Sequence, residues 1–382
     1  MKKNKNRFAK FIIVAVLVIL VLPVLIGKTY LYKAIVYNFA GIDDYTIFDN
    51  RSVPAAQPVP WRFSADYGKV NIPDTLEQYL TKLQSVGLVL VQNREIVVEK
   101  YWNGYNDSSL SNSFSVAKSI TSLLIGAAIH EGKIASVNDP VGKYLPEFNE
   151  GEKAKVKIVD LLTMSSGSNW NESYANPLSE TTELYYGTNV YKTATRVNIV
   201  KPPGTYHAYK SGDTQLLGLI VEKATGKSLS VYAAEKIWQP LGAEHAALWS
   251  IDKPNGNEKA YCCFNSNARD FARLGQLMLD SGKINGRAVI DSAFFFFFFA
   301  PCKIIDENNM PCNYYGYQWW IIPGRQDIFY ARGILGQYII CIPARNMVIV
   351  RLGEKRDEKI NNVPIEVNTL IAWAERLDES RR

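Results

Sequence analysis

Residues 114–129 read FSVAKSITSLLIGAAI, and they decide how the rest of the chain is understood. Phe114, Ala117, Ile120, Leu124 and Ala127 recur at spacings of three and four, the period of a helix with a buried face, and Gly132 marks its end. Ser115 and Lys118 stand in its first turn. Residues at i and i+3 lie one turn apart on the same face, so the lysine amine can reach the serine oxygen. The positive end of the helix dipole disfavours a charged lysine there and favours negative charge developing on the serine. Alone, S-x-x-K is weak evidence, because a capping serine followed by an exposed lysine fits the same four residues. Placement adds weight: a solvated lysine has little reason to stand in the first turn of an otherwise apolar helix.

Working outward, residues 88–101 (LVLVQNREIVVEKY) hold two β-rich runs around Gln92-Asn93-Arg94, which predicts a hairpin. Short helices are expected over 160–164, closed by Ser165-Ser166-Gly167, over 214–224, ended by Gly226, and over 268–279. Strand patterns return at 317–322, 328–331, 337–342 and 347–352, broken by Pro323-Gly324 and Pro343, before an amphipathic helix over 363–377. Strands at both ends with helices between predict an α+β fold of three-layer α/β/α type. One antiparallel sheet would be assembled from N- and C-terminal pieces, flanked by terminal helices, with an inserted helical region. Residues 47–63, with three prolines, read as an extended connector wrapping onto this domain. The six consecutive phenylalanines at 294–299 suit neither an amphipathic helix nor a half-buried strand.

Of 382 residues, 47% are hydrophobic and 21% charged, which excludes a disordered chain. Five of the six net positive charges (Lys2, Lys3, Lys5, Arg7, Lys10) fall in the first ten residues. The nearly neutral remainder offers no electrostatic footprint for nucleic acid, so none is expected as a partner. Residues 11–27 (FIIVAVLVILVLPVLIG) carry no charge, and at about 1.5 Å per residue they span most of a ~30 Å hydrocarbon core. No small-x-small site follows in Ile26-Gly27-Lys28-Thr29-Tyr30, so an uncleaved anchor is expected in preference to a removed signal peptide. The basic head then stays cytoplasmic, and the rest lies outside the cytoplasmic membrane, periplasmic or at the cell surface. The expected organisation is a single-pass signal-anchor helix over 1–28, a connector over 29–63 and one catalytic domain over 64–382.

Cys262, Cys263, Cys302, Cys312 and Cys341 form neither a dense disulfide scaffold nor a CxxC zinc pattern, although Cys302 and Cys312 flank a short polar segment and are placed to pair. His130, His207 and His245 form no metal-ligand pair at helical spacing. No metal and no cofactor are expected.

Further stretches follow the S-x-x-K in order: Gly132-Lys133-Ile134 running to Val137-Asn138-Asp139-Pro140-Val141, then Leu145-Pro146-Glu147, then Asp160-Leu161-Leu162-Thr163-Met164-Ser165-Ser166-Gly167. Together they resemble the serine β-lactamase and penicillin-binding-protein superfamily. The likeness is to its class C-like branch, which also contains esterases, D-aminopeptidases and 6-aminohexanoate-dimer (nylon oligomer) hydrolases. It runs from about Val53 to the C-terminus. The resemblance implies that Ser115 is the nucleophile and Lys118 its partner. It places the second box, Y-x-N or Y-x-S, at Tyr209-Lys210-Ser211, with Tyr206 as the nearest rival tyrosine. Held near Lys118, the Tyr209 phenol is expected to lose its proton more easily and to act as base on Ser115, then as acid to the leaving group.

The third box departs from the pattern, since Ala331-Arg332-Gly333-Ile334 stands where the superfamily has Lys-Thr-Gly or His-x-Gly. Gly333 would let substrate approach the strand, and the amides of Ile334 and Ser115 would form the oxyanion hole. Alanine at 331 weakens the case for binding a β-lactam carboxylate; Arg332 either replaces that charge or points away. The departure resembles nylon oligomer hydrolases and esterases more than antibiotic-resistance enzymes. Tyr174 and Ser211 are then substrate-contacting candidates beside Arg332 and Gly333, and Glu172, Glu180 and Glu183 are three acids among which the sequence does not choose. The implied function is hydrolysis of a small-molecule amide or ester through an acyl-enzyme on Ser115. The alternatives are a β-lactamase or D,D-carboxypeptidase, and a catalytically silent membrane-anchored binding protein.

Overall fold

The computed structural model describes Phe11 and residues 20–381. Its middle layer is a seven-stranded sheet in the order Trp320–Ile322, Arg325–Gly333, Gln337–Ile342, Met347–Gly353, Ser85–Gln92, Glu95–Tyr101 and Arg62–Phe63. Every neighbouring pair is antiparallel except the last, where Arg62–Phe63 runs parallel to Glu95–Tyr101. The predicted joining of N- and C-terminal strands occurs between Ser85–Gln92 and Met347–Gly353, with Leu90 opposite Ile349 and Val89 opposite Val350.

These strands read as almost unbroken apolar runs because both faces of the sheet are covered. Tyr338, Ile340 and Ile342 share a core with Leu76 and Leu80 of helix Asp74–Lys82 and with Val367, Leu370 and Trp373 of helix Ile365–Ser380. Their neighbours Ile339 and Cys341 turn to the other core, with Leu123 of helix Val116–His130 and Phe271 and Leu274 of helix Ala268–Leu279. A one-residue slip would exchange the two sets, so burial on both faces holds the register. The predicted strand 317–322 shortens to Trp320–Ile322, because Gln318 takes φ +64° and spends its side-chain amide on the carbonyls of Leu161 and Leu162.

Helix Val116–His130 is buried on every side from Val116 to Ala128, not on one face, because it is packed between the large sheet and helix Ser211–Thr225. Part of residues 47–63 is hydrogen-bonded into the fold. Asp49–Val53 is the edge of a second sheet, in the order Asp49–Val53, Ala247–Ile251, Phe264–Ser266, Ser111–Asn112, with Val53 fully buried.

Among the described residues no helix is long and apolar enough to cross a membrane. Residues 12–19 of the span predicted at 11–27 lie outside the described residues. After it comes a short helix, Tyr30–Tyr37, docked through Lys28 to Glu183 and through the Tyr30 hydroxyl to the Pro177 carbonyl. The cysteine expectation is corrected: the disulfide joins the adjacent Cys262 and Cys263, while Cys302 and Cys312 are free thiols with their sulfurs 2.9 Å apart. Of the phenylalanine run, Phe294, Phe295 and Phe298 enter the core and Phe296 and Phe297 face solvent.

Candidate active site

Strand Ser111–Asn112 reaches the helix Val116–His130 through an abrupt turn. Phe114 adopts φ +44°, held there by its buried ring and by its amide donating to Asn112 Oδ1 at 2.9 Å. A non-glycine residue in this region stores strain, a feature that collects at functional sites. The turn leaves Ser115 half-buried at the helix N-cap while the residues after it descend into the core.

Lys118, 1% exposed, donates from Nζ to Ser115 Oγ at 3.1 Å, to Ser211 Oγ at 3.1 Å and to the Tyr261 carbonyl at 3.0 Å. Burial pushes its amine down to about 8, against the opposing pull of the Glu172 charge. The neutral amine is therefore a minor but accessible form near neutral pH, beside the serine hydroxyl.

Tyr209 comes to the same point from the turn before helix Ser211–Thr225. Its hydroxyl is close enough to Ser115 to feel it electrostatically, and its ring centroid is 5.1 Å from Lys118 Nζ. Tyr315 meets it edge-on at 6.2 Å and Trp320 lies at 5.6 Å. The phenol does not become more acidic as expected: burial, the largest cause, pushes it well above the ordinary tyrosine range, outweighing the opposing influence of Ser115. Tyr206, the rival, stacks under Lys201 Nζ at 3.5 Å instead.

Among the three acids the structure selects Glu172. Its Oε1 accepts from Ser211 Oγ at 2.6 Å and from the Tyr174 hydroxyl at 2.8 Å, and its Oε2 from the Ser211 amide at 2.7 Å and Trp170 Nε1 at 2.8 Å. Glu180 instead caps the Asn171 amide, and Glu183 is held by Arg196 and Lys28. Glu172, Ser211 and Lys118 thus form a hydrogen-bonded chain ending on Ser115. The sequence could have flagged Glu172 only through its nearness to Tyr174.

Two cavities meet at Ser115. One, about 210 Å³ and mostly apolar, is walled by Phe39, Phe114, Tyr174, Tyr185, Tyr261 and Leu335, with Ser211 and Ile334. The other, about 270 Å³ and more polar, is walled by Tyr174, Tyr209, Arg332, Gly333 and Ile334, with Arg356 and Lys359. Arg332 does not point away: its guanidinium lies 3.2 Å from the centre of the Trp320 ring and donates to the Asn362 carbonyl at 3.1 Å. Ala331 is fully buried in the sheet. At Gly333 a Cβ would lie 2.3 Å from the Ser113 carbonyl oxygen, so the strand approaches the nucleophile turn as closely as backbone can. Ser115, Tyr174, Tyr209, Ser211, Arg332, Gly333 and Ile334 therefore stand on these walls with Lys118 directly beneath, whereas Tyr206, Glu180 and Glu183 do not. A separate cleft of about 420 Å³, around Trp61 and Arg273, contains none of them.

Residues 72–362 match the Beta-lactamase family. The chain belongs to the Beta-lactamase family. It is a serine hydrolase of the β-lactamase and penicillin-binding-protein superfamily. The 6-aminohexanoate-dimer hydrolase of Paenarthrobacter ureafaciens is 28% identical to it over 307 residues, which cover 75% of this chain and 76% of that one. A protein of Salmonella agona named provisionally as a D-alanyl-D-alanine carboxypeptidase is 28% identical over 191 residues, 43% of each chain. Among solved structures, a provisional 6-aminohexanoate-dimer hydrolase from Bacillus anthracis shares the fold with a TM-score of 0.76 at 24% identity, covering 92% of this chain and 95% of its own. A family VIII carboxylesterase does so with a TM-score of 0.62 at 19% identity, covering 79% and 95%.

Proposed function

We propose that this member of the Beta-lactamase family cleaves amide or ester bonds of a small molecule through an acyl-enzyme on Ser115, as a hydrolase of the 6-aminohexanoate-dimer or esterase kind. The observation that carries the reading is the buried Lys118 amine, 3.1 Å from Ser115 Oγ and shifted down to about 8. In its neutral form Lys118 takes the Ser115 proton as the oxygen attacks the carbonyl. Tyr209, protonated in the resting site, gives its proton to the leaving group and recovers one from the Lys118 side. Water then enters, and the same groups work in reverse to release the acid. The amides of Ser115 and Ile334, two residues that line both cavities, are assigned to the oxyanion.

The buried alanine at 331 favours this reading over a β-lactamase or D,D-carboxypeptidase, since no lysine ammonium is available from that position. The test is a substrate profile over short-chain esters, D-amino-acid amides, linear ω-amino-acid dimers and β-lactams. Hydrolysis of the first or third group, lost in Ser115→Ala, supports the proposal. Stable or turned-over labelling of Ser115 by a penicillin, with no ester or dimer hydrolysis, would replace it. Absence of all turnover in folded protein would favour a silent binding protein.

Membrane attachment through residues 11–27, with the catalytic domain extracytoplasmic, is part of the same proposal. It is supported by the uncharged run behind a basic head, by the exposure of Leu20, Val24 and Leu25 within that run and by that of Val36 and Phe39 on the segment that follows. Fractionation of cells expressing the full chain and a form lacking residues 1–28 tests it; equal recovery of both in the soluble fraction rejects it.

A further inference from the structure

Beside the polar cavity, whose wall includes His207, lies a cluster that no step above uses. His207, Cys302 and Cys312 bring one imidazole nitrogen and two sulfurs within 4.8 Å of one another, with His207 and Cys312 buried and Cys302 half-buried. The backbone holds them there. Strand Tyr206–His207 pairs in parallel with Ile305–Asp306, the Cys302 amide donates to the Tyr315 carbonyl at 2.9 Å, and the Cys312 amide donates to the Ile304 carbonyl at 2.8 Å. His207 Nδ1 lies 2.9 Å from the Thr163 carbonyl oxygen, which can only accept. A neutral ring therefore carries its hydrogen on Nδ1 and leaves the Nε2 lone pair for a ligand, the outer hydrogen bond that orients a metal-binding histidine.

We propose that His207, Cys302 and Cys312 form a binding site for a thiophilic divalent cation, zinc by its ligand chemistry, with the fourth position left to water. Two sulfurs and an imidazole suit zinc better than a hard cation, and three protein ligands leave a tetrahedral site open. The neighbouring Asp306 carboxylate is occupied: it accepts from the Asn308 and Met310 amides at 2.8 and 3.0 Å and from the Tyr314 hydroxyl at 2.9 Å. Binding releases both thiol protons to solvent. It also parts the sulfurs from 2.9 Å to roughly 3.7 Å, the separation set by two zinc–sulfur bonds of about 2.3 Å at a tetrahedral angle. The cation would tie the 302–312 loop to the strand that leads into Tyr209. His207 packs 5.0 Å from Tyr315, the ring that meets Tyr209 edge-on, so the site has a positioning role toward Tyr209.

The test uses the full chain in detergent, reduced, stripped with a chelator, then given zinc or cobalt(II) and desalted. One retained equivalent of zinc and a thiolate-to-cobalt charge-transfer band are expected. Both should vanish in Cys302→Ser and Cys312→Ser with unchanged far-ultraviolet circular dichroism, and persist in Cys341→Ser. Three results overturn the proposal: no stoichiometric zinc on folded, reduced protein, bands that survive Cys302→Ser, or a Cys302–Cys312 disulfide whose reduction yields no zinc binding.

Discussion

Lys118 Nζ lies one helical turn from Ser115 Oγ, at 3.1 Å, with its remaining hydrogen bonds made to Ser211 Oγ and the Tyr261 carbonyl. Each of those contacts accepts from the amine, and among the described residues no carboxylate hydrogen-bonds to it. An amine so held is poised to take a proton from the serine. Lys118→Ala and Tyr209→Phe should each lower kcat/KM on a responsive ester by about 10²–10⁴-fold, the range for a general acid or base, while Ser115→Ala removes turnover. Loss of less than tenfold in Lys118→Ala would assign the base elsewhere.

The pH profile follows from the same amine. Because burial lowers Lys118 to about 8, the neutral base is the minor form below that value. kcat/KM should rise about tenfold per pH unit on the acid side and level off above about 8. Stopped assays with a pH-insensitive substrate check this, and a flat profile across that range contradicts it.

Glu172 sets both the position of Ser211 and part of the charge felt by Lys118. Removing its negative charge takes away the interaction that favours the ammonium, so in Glu172→Gln the acid limb should move below about 8. Glu172→Ala should also destabilise the fold by about 1–3 kcal/mol, because the Ser211 amide and Trp170 Nε1 lose their acceptor. Urea unfolding and the pH profile together separate the two effects.

Gly333→Ala puts a methyl group 2.3 Å from the Ser113 carbonyl oxygen, inside contact distance of backbone that cannot swing aside. A stability loss of about 1–3 kcal/mol is expected. A fall in kcat larger than the loss in folded fraction should accompany it, because Ser113 precedes the nucleophile turn. A variant with wild-type Tm and kcat would show that the strand and the turn are farther apart.

Asp213 is buried, its Oδ1 accepting from Ser166 Oγ at 2.7 Å and its Oδ2 without a partner among the described residues. Burial pushes its carboxyl up to about 7 from an ordinary 3.8. The folded state therefore keeps a proton that the unfolded chain has already released. Its contribution to stability is full below the unfolded value and is lost as pH rises through about 7. Asp213→Asn should flatten that part of the stability curve, seen as urea midpoints that no longer fall between about pH 4 and about pH 8.

The hairpin, the late strands and the helices over 268–279 and 363–377 were legible because their apolar residues form short continuous runs or recur at helical spacing. Less legible was the second sheet. Its strands Asp49–Val53 and Ser111–Asn112 are short and mostly polar, and they exist only because distant segments supply the partners. The same holds for the adjacent-cysteine disulfide, which no spacing rule suggests.

What the sequence determined by itself was local chemistry: a serine and a lysine one turn apart, a tyrosine before the next helix, and a glycine on a late strand. A helix or strand period settles such relationships within a few residues. Only the tertiary structure decided the protonation order, which acid serves the site, and where His207, Cys302 and Cys312 meet. Those depend on burial and on contacts between segments far apart in the chain. Desolvation, not neighbouring charge, sets both Lys118 low and Tyr209 high, and desolvation does not exist until the layers close.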